Sequence, residues 1–198
     1  MISFINNSEL EPFKILKDRY ELALNNNQKN IEAICISSFC SEKNEVDSRY
    51  VNLKIIDNER FIFFTNYNSY KAKQFELHNQ ISAVIYWPSI NTQIRMNAVI
   101  KKTSKEFNQK YFSTREKSKN ALAISSNQSL QIDSYKDVKK KYKKTLSDGN
   151  LNKCPDYWGG YEFKPNYFEF WKGMPARINK RVVYKLMSND WKKYFLEP

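Results

Sequence analysis

Histidine is almost missing from this chain of 198 residues, which has one, His78. That excludes a histidine-based catalytic triad and a multi-histidine metal centre. Cysteine is scarce: Cys35, Cys40 and Cys154 form no CxxC pair. An odd count at irregular spacing is neither a disulfide framework nor a zinc site, and small side chains in a reducing cytosol are expected. Only 4 glycines and 6 prolines argue against low-complexity sequence. Apolar stretches such as residues 31–39 and 81–87 are far too short to span a bilayer. Residues 1–11 lack the charged start and apolar centre of a signal peptide. The nucleotide cradles GxGxxG and Walker are absent. A soluble cytoplasmic protein of one domain, with no membrane partner, is expected.

What is present is a hydrophobic fraction of 41% and an aromatic fraction of 15%, enough for a core. Net charge is +12. A nucleic-acid binder, solvated lysines, or a field for a phosphorylated small molecule would all carry such charge. The densest run is Lys139-Lys140-Lys141-Tyr142-Lys143-Lys144. Tyr135, Val138, Tyr142 and Leu146 recur at helical spacing beneath it, so an amphipathic helix with a solvated face is favoured over nucleic-acid binding.

Periodicity predicts a helix over 11–26, and strands over 31–39, 48–56 and 60–65, the last two joined at Asp57-Asn58. A helix follows over 68–79, with Ser69 at its cap position. Strands follow over 81–87 and 92–103, and two or three helices over 104–147. Short strands close the chain over 158–164, 166–172 and 181–187. The pattern divides into an N-terminal helical segment (1–30), a barrel with helices (31–150) and a C-terminal region of the same domain (151–198). It lacks strand–helix alternation and predicts a mainly β, antiparallel, Greek-key-like barrel with peripheral helices.

The last quarter gathers Tyr157-Trp158-Gly159-Gly160-Tyr161, Phe168-Glu169-Phe170-Trp171 and Arg177-Ile178-Asn179-Lys180-Arg181. Glycines let a backbone pass close to another group, tryptophan offers a flat face and arginine a planar fork. Such residues suit an aromatic, anionic ligand. Upstream stand Arg49-Tyr50-Val51-Asn52-Leu53-Lys54, an aromatic strand and turn from Phe63 to Lys71, Trp87-Pro88, Gln93, Tyr111-Phe112-Ser113-Thr114-Arg115 and Gln128-Ser129. In order and spacing these blocks resemble the pyridoxamine 5'-phosphate oxidase family.

That resemblance implies an FMN-binding split β-barrel and a homodimer with FMN at its interface. Arg49, Tyr50, Val51, Asn52, Leu53, Lys54, Phe64, Thr65, Tyr70, Lys71, Gln93, Gln128, Ser129, Trp171 and Arg181 would contact FMN. Arg49, Lys71, Ser129 and Arg181 would serve chiefly its charged end. Lys54, Tyr111, Arg115 and Lys119 would hold the phosphate of a B6 vitamer. Arg177 and Asn179 would act at the pyridine ring. The implied reaction is oxidation of pyridoxamine or pyridoxine 5'-phosphate to pyridoxal 5'-phosphate, with molecular oxygen as acceptor and hydrogen peroxide as product.

Strict alternation puts Arg49 and Lys54 on opposite strand faces, unless the strand bulges or the ligand reaches around it. Three positions depart from the family pattern. Asn179 stands where it has histidine, Lys119 where it has serine, and Tyr70 where it has arginine. A drifting true oxidase fits them, and so does a flavin oxidase of another ring substrate, as in phenazine biosynthesis. A non-catalytic flavin- or pyridoxal-phosphate-binding protein is the third reading.

Overall fold

A computed structural model describes residues Met1–Pro198. One sheet contains β1 (Ser3–Ile5), β2 (Ala33–Cys40), β3 (Glu45–Asp57), β4 (Arg60–Asn66), β5 (Gln80–Trp87), β6 (Thr92–Lys102), β7 (Trp158–Lys172), β8 (Lys180–Met187) and β9 (Asp190–Leu196). Five helices lie outside it: α1 (Glu11–Asn25), α2 (Tyr70–Leu77), α3 (Lys105–Thr114), α4 (Lys117–Ser125) and α5 (Tyr135–Asp148). None is long and apolar enough to cross a membrane.

Strands β3, β2, β5, β6, β7 and β4 follow one another around a ring, closed where β4 pairs with β3. Strands β8 and β9 extend from the C-terminal half of β7. This is the split barrel that the sequence implies. Alternating residues fill it: Ile34 and Ile36 of β2, Ile94 and Met96 of β6, and Phe61 and Phe63 of β4 are all buried. Helix α1 starts with a proline in its first turn, where the missing N–H has no partner to lose. It buries Phe13, Leu16, Tyr20 and Ala23 in the same core cluster as the barrel strands.

The C-terminal pattern differs from expectation in one instructive way. Residues 158–164 and 166–172 read as two strands, but they form one of 15 residues. Pro165 has no N–H to give a ladder, and the pairing slips there: Ala98 faces Pro165 while Asn97 faces Tyr167. Asn166 is the extra residue of a bulge. Before it, β7 pairs with β4; after it, with β8. The break in the pattern is where the strand changes partner.

Strands β1 and β9 escape sequence reading. The first has three residues, and the second is interrupted by Lys192 and Lys193 at an open edge. The β1–β3 pair is parallel, an exception to the expected antiparallel order. Helix α5 also corrects its reading, because its stripe is not buried. Tyr135 is 69% and Leu146 40% exposed, and only Val138 and Tyr142 are half-covered.

Candidate functional site

Strands β3 and β4 pair only from Leu53–Phe63 to Asp57–Arg60. Beyond Leu53, β4 pairs with β7 alone, while β3 runs on with β2. The parting strands open a cleft of about 650 Å³. One wall is Tyr50, Val51, Asn52 and Lys54 of β3, and the other Phe64 and Thr65 of β4. Lys71 of α2, Tyr111 of α3, Arg115, Lys119 of α4, Gln128 and Trp158 complete it. Eleven residues expected at the site thus share one cleft.

The β3 register slips between Leu53 and Ile55, so Lys54 sits at a bulge. Tyr50, Asn52 and Lys54 share one strand face, yet Val51 from the other face also lines the cleft. The cleft therefore wraps around the strand edge that β4 has left. Arg49 does not line it. Its guanidinium lies half-buried and donates to Ser38 Oγ at 2.6 Å and to Gln74 Oε1 at 2.9 Å. Leu53 is fully buried in the core. Tyr70 turns its hydroxyl to Cys40 Sγ at 3.7 Å, with the Lys43 ammonium 5.1 Å from its ring.

The cleft is electropositive for a reason of placement. Lys71 Nζ has only hydroxyl partners, Thr65 Oγ1 at 3.2 Å and Ser69 Oγ at 3.4 Å. Burial, and then the nearby Arg49 charge, push it down from 10.5 to about 8. Arg49 has the Asp47 carboxylate at 3.8 Å, but Lys71 has none, so the Lys71 ammonium favours an incoming anion. Arg115 donates to Asn120 Oδ1 at 3.1 Å and lies 4.4 Å above the Trp158 ring. Lys54 pairs with Glu32 at 3.4 Å, and Lys119 with Glu116 at 3.0 Å. Gln128 Oε1 accepts from Thr65 Oγ1 and Asn66 N, both at 3.2 Å, tying its loop to β4. Ser129 beside it is exposed with φ of 75°. The residues present fit FMN: cations for a dianionic phosphate, and polar and aromatic walls for the rest.

Trp158, Thr114 and Glu116 line the cleft but were not singled out as site residues. For Trp158 the signal was its place beside the glycine pair. Those glycines serve packing, not a ligand. A Cβ on Gly159 would overlap Tyr67 Oη and Asn108 Nδ2, and one on Gly160 would come within 2.6 Å of Thr103 Oγ1.

The remaining expected residues form a second group. Gln93 of β6 faces Trp171 of β7, which faces Arg181 of β8. Arg177 is exposed in the turn from β7 to β8, where Ala176 and Arg177 have φ of 55° and 60°. Such backbone is strained for residues with a Cβ. Asn179 Oδ1 accepts from Met174 N at 3.1 Å and so closes this turn. Tyr50 lies in a cross-strand row through Cys35, Val84 and Arg95 to Glu169 and Val183. None of Gln93, Trp171, Arg177, Asn179 and Arg181 lines the cleft.

Residues 158–198 match the family model described as the pyridoxine 5'-phosphate oxidase C-terminal dimerisation region. The chain is 35% identical over 184 residues to pyridoxine/pyridoxamine 5'-phosphate oxidase 1 of Hydrogenovibrio crunogenus, covering 92% of this chain and 84% of the relative. It is 32% identical to the pyridoxine/pyridoxamine 5'-phosphate oxidase of Rhodopirellula baltica over 98% of this chain and 90% of that one. Its fold is similar to PhzG of Burkholderia lata 383, solved with tetrahydrophenazine-1-carboxylic acid (TM-score 0.89, 24% identity, 95% and 93% coverage). It is also similar to a pyridoxamine 5'-phosphate oxidase-related, FMN binding protein of Nostoc punctiforme (TM-score 0.79, 11% identity, 96% and 99% coverage). With the cleft, the split barrel and these identities over most of its length, the chain belongs to the pyridoxine/pyridoxamine 5'-phosphate oxidase family.

Proposed function

We propose that this protein is an FMN-dependent oxidase of pyridoxamine 5'-phosphate or pyridoxine 5'-phosphate that works as a homodimer. The observation that carries this reading is Lys71, poorly solvated, beside Arg49 and without a carboxylate, at the end of a cleft walled by aromatic rings. Arg49, Lys71 and Ser129 would hold the FMN phosphate. Tyr50, Val51, Asn52, Lys54, Phe64, Thr65 and Gln128 would surround the rest from the same chain.

Gln93, Trp171 and Arg181 would come from the partner copy, since they share one cross-strand row and do not line the cleft. The sheet face that carries Gln93 also exposes Tyr86 and Val99 at 51% and 48%, apolar surface that a second copy would cover. A two-fold pairing repeats each contact, so two complete sites would form. The matched C-terminal dimerisation region supports the same reading.

Lys54, Tyr111, Arg115 and Lys119 would bind the substrate phosphate. Arg177 and Asn179 would close over the pyridine ring and keep the C4' carbon against the cofactor, with water excluded. When bound, FMN would supply the two-electron acceptor for hydride removal from C4', with molecular oxygen reduced to hydrogen peroxide; the alcohol, losing its hydroxyl proton, gives pyridoxal 5'-phosphate directly, and the amine gives an imine that water hydrolyses to pyridoxal 5'-phosphate and ammonia. No protein acid–base pair is demanded, which suits a chain with a single histidine.

A second reading, oxidation of a different ring compound, is favoured by two specific contacts. Asn179 spends its carbonyl on the turn, and Lys119 is paired with Glu116. Adding pyridoxamine 5'-phosphate to the FMN-loaded protein without oxygen separates the two. Bleaching of the flavin band with pyridoxal phosphate formed supports the first. A bound flavin that stays oxidised moves the assignment to the second. Failure to take up FMN sinks both.

A further inference from the structure

Two carboxylates are buried in this molecule, Glu162 and Glu169, and the second is the deeper at 2% exposure. A charge so placed is costly unless its oxygens are fully engaged. Those of Glu169 are: Oε1 accepts from Arg181 Nε at 2.8 Å, and Oε2 from Arg95 Nη1 at 3.0 Å and the Tyr167 hydroxyl at 3.3 Å. Glu169 stands two residues before Trp171 on β7, on the same strand face. Arg181 is the β8 residue opposite Trp171. The carboxylate therefore reaches diagonally to the arginine that shares the Trp171 row. Arg181 Nη1 donates to the Glu197 carbonyl at 2.9 Å. With Nε and Nη1 held, the plane of this guanidinium is fixed, and Nη2 is left without a protein acceptor.

We propose that Glu169 is the positioning residue of the Gln93–Trp171–Arg181 group: it fixes the Arg181 fork in the one orientation that presents its free edge to the flavin. This rests on the FMN reading above. Glu169 touches no ligand itself and acts through Arg181. Glu162 provides the comparison. It is 9% exposed and pairs with Arg60 at 3.2 Å and Lys101 at 3.3 Å, none of them a residue of the proposed site.

The test is a fluorescence titration of FMN into the apo dimer for wild type, Glu169→Gln, Arg181→Ala, their double variant and Glu162→Gln, with thermal unfolding of each alongside. Glu169→Gln should weaken FMN binding about tenfold, as loss of an orienting partner does at other ligand sites. The double variant should bind no more weakly than Arg181→Ala, because the two residues act as one unit. Glu162→Gln should lower the unfolding midpoint and leave FMN affinity unchanged. If Glu169→Gln does not fold, Glu169→Asp, with its shortened reach, should show the same weakening. Wild-type affinity in the Glu169 variants, additive losses in the double variant, or an equal loss in Glu162→Gln would each overturn the role. A wild-type protein that takes up no FMN overturns both this role and the FMN reading.

Discussion

Tyr111 lies flat on Phe64, ring centroids 3.7 Å apart and planes 3° from parallel. Phe64 is in turn stacked with Trp158 at 5.2 Å, and Arg115 lies over Trp158. This continuous aromatic stack fixes α3 against the wall of the cleft. The Tyr111 ring thus packs as a core aromatic does, and the residue also lines the cleft.

Tyr111→Phe should separate these roles. The ring stack survives, so the unfolding midpoint in urea should stay within error of wild type. If the hydroxyl holds the substrate phosphate, KM for pyridoxine 5'-phosphate should rise about tenfold, near the worth of one hydrogen bond to a charged group. Tyr111→Ala should lose in addition about 1 kcal/mol of stacking. An unchanged KM in Tyr111→Phe removes the hydroxyl from the site.

Lys71 predicts a pH dependence of cofactor binding. Its folded value of about 8 lies below the ordinary 10.5. The folded protein thus releases this proton first as pH rises, and the unfolded chain holds more protons between about 8 and 10.5. The destabilisation from burying the charge is fully present below about 8 and relieved across that window. Anion binding runs the other way, since it needs the ammonium. FMN affinity should fall as pH rises past about 8 in wild type and stay flat in Lys71→Arg, whose charge does not titrate there. Parallel profiles in a fluorescence titration would rule out Lys71 as the titrating contact.

The two C-terminal arginines should part company. Arg181→Ala should lose its FMN on purification, with an affinity lowered but still measurable by titration, while Arg177→Ala, altered only in an exposed turn, should stay yellow and oxidise pyridoxine 5'-phosphate poorly. Absorbance of the purified proteins and a turnover assay check this. Flavin lost from Arg177→Ala and kept by Arg181→Ala would reverse the assignment.

Gly159→Ala should be destabilising without touching a ligand. The added methyl meets Tyr67 Oη and Asn108 Nδ2, and Asn108 is 4% exposed with its partners fixed. Overpacking of this kind costs about 1–3 kcal/mol. A denaturation midpoint equal to wild type would show that the two side chains yield freely.

The sequence alone determined the central strands β2 to β6, the helices α1 and α2 and the family, because each has a local cause: alternation, helical spacing, and motif order. It also supplied eleven of the fourteen residues that line the cleft, Tyr50 and Gln128 among them. What it left undecided depends on partners distant along the chain. Arg49 and Lys54 could be put on opposite faces by counting, but where β4 leaves β3 at Leu53, and so where the cleft opens, is set by strand pairing. Pro165 read as a gap between two strands because its missing N–H is local, whereas the bulge that carries β7 past it needs β6 alongside. Glu169 was one acidic residue in an aromatic motif. Only the fold buries it between Arg95 and Arg181, residues 74 and 12 positions away, because a charge finds its counter-charges through the sheet and not along the chain.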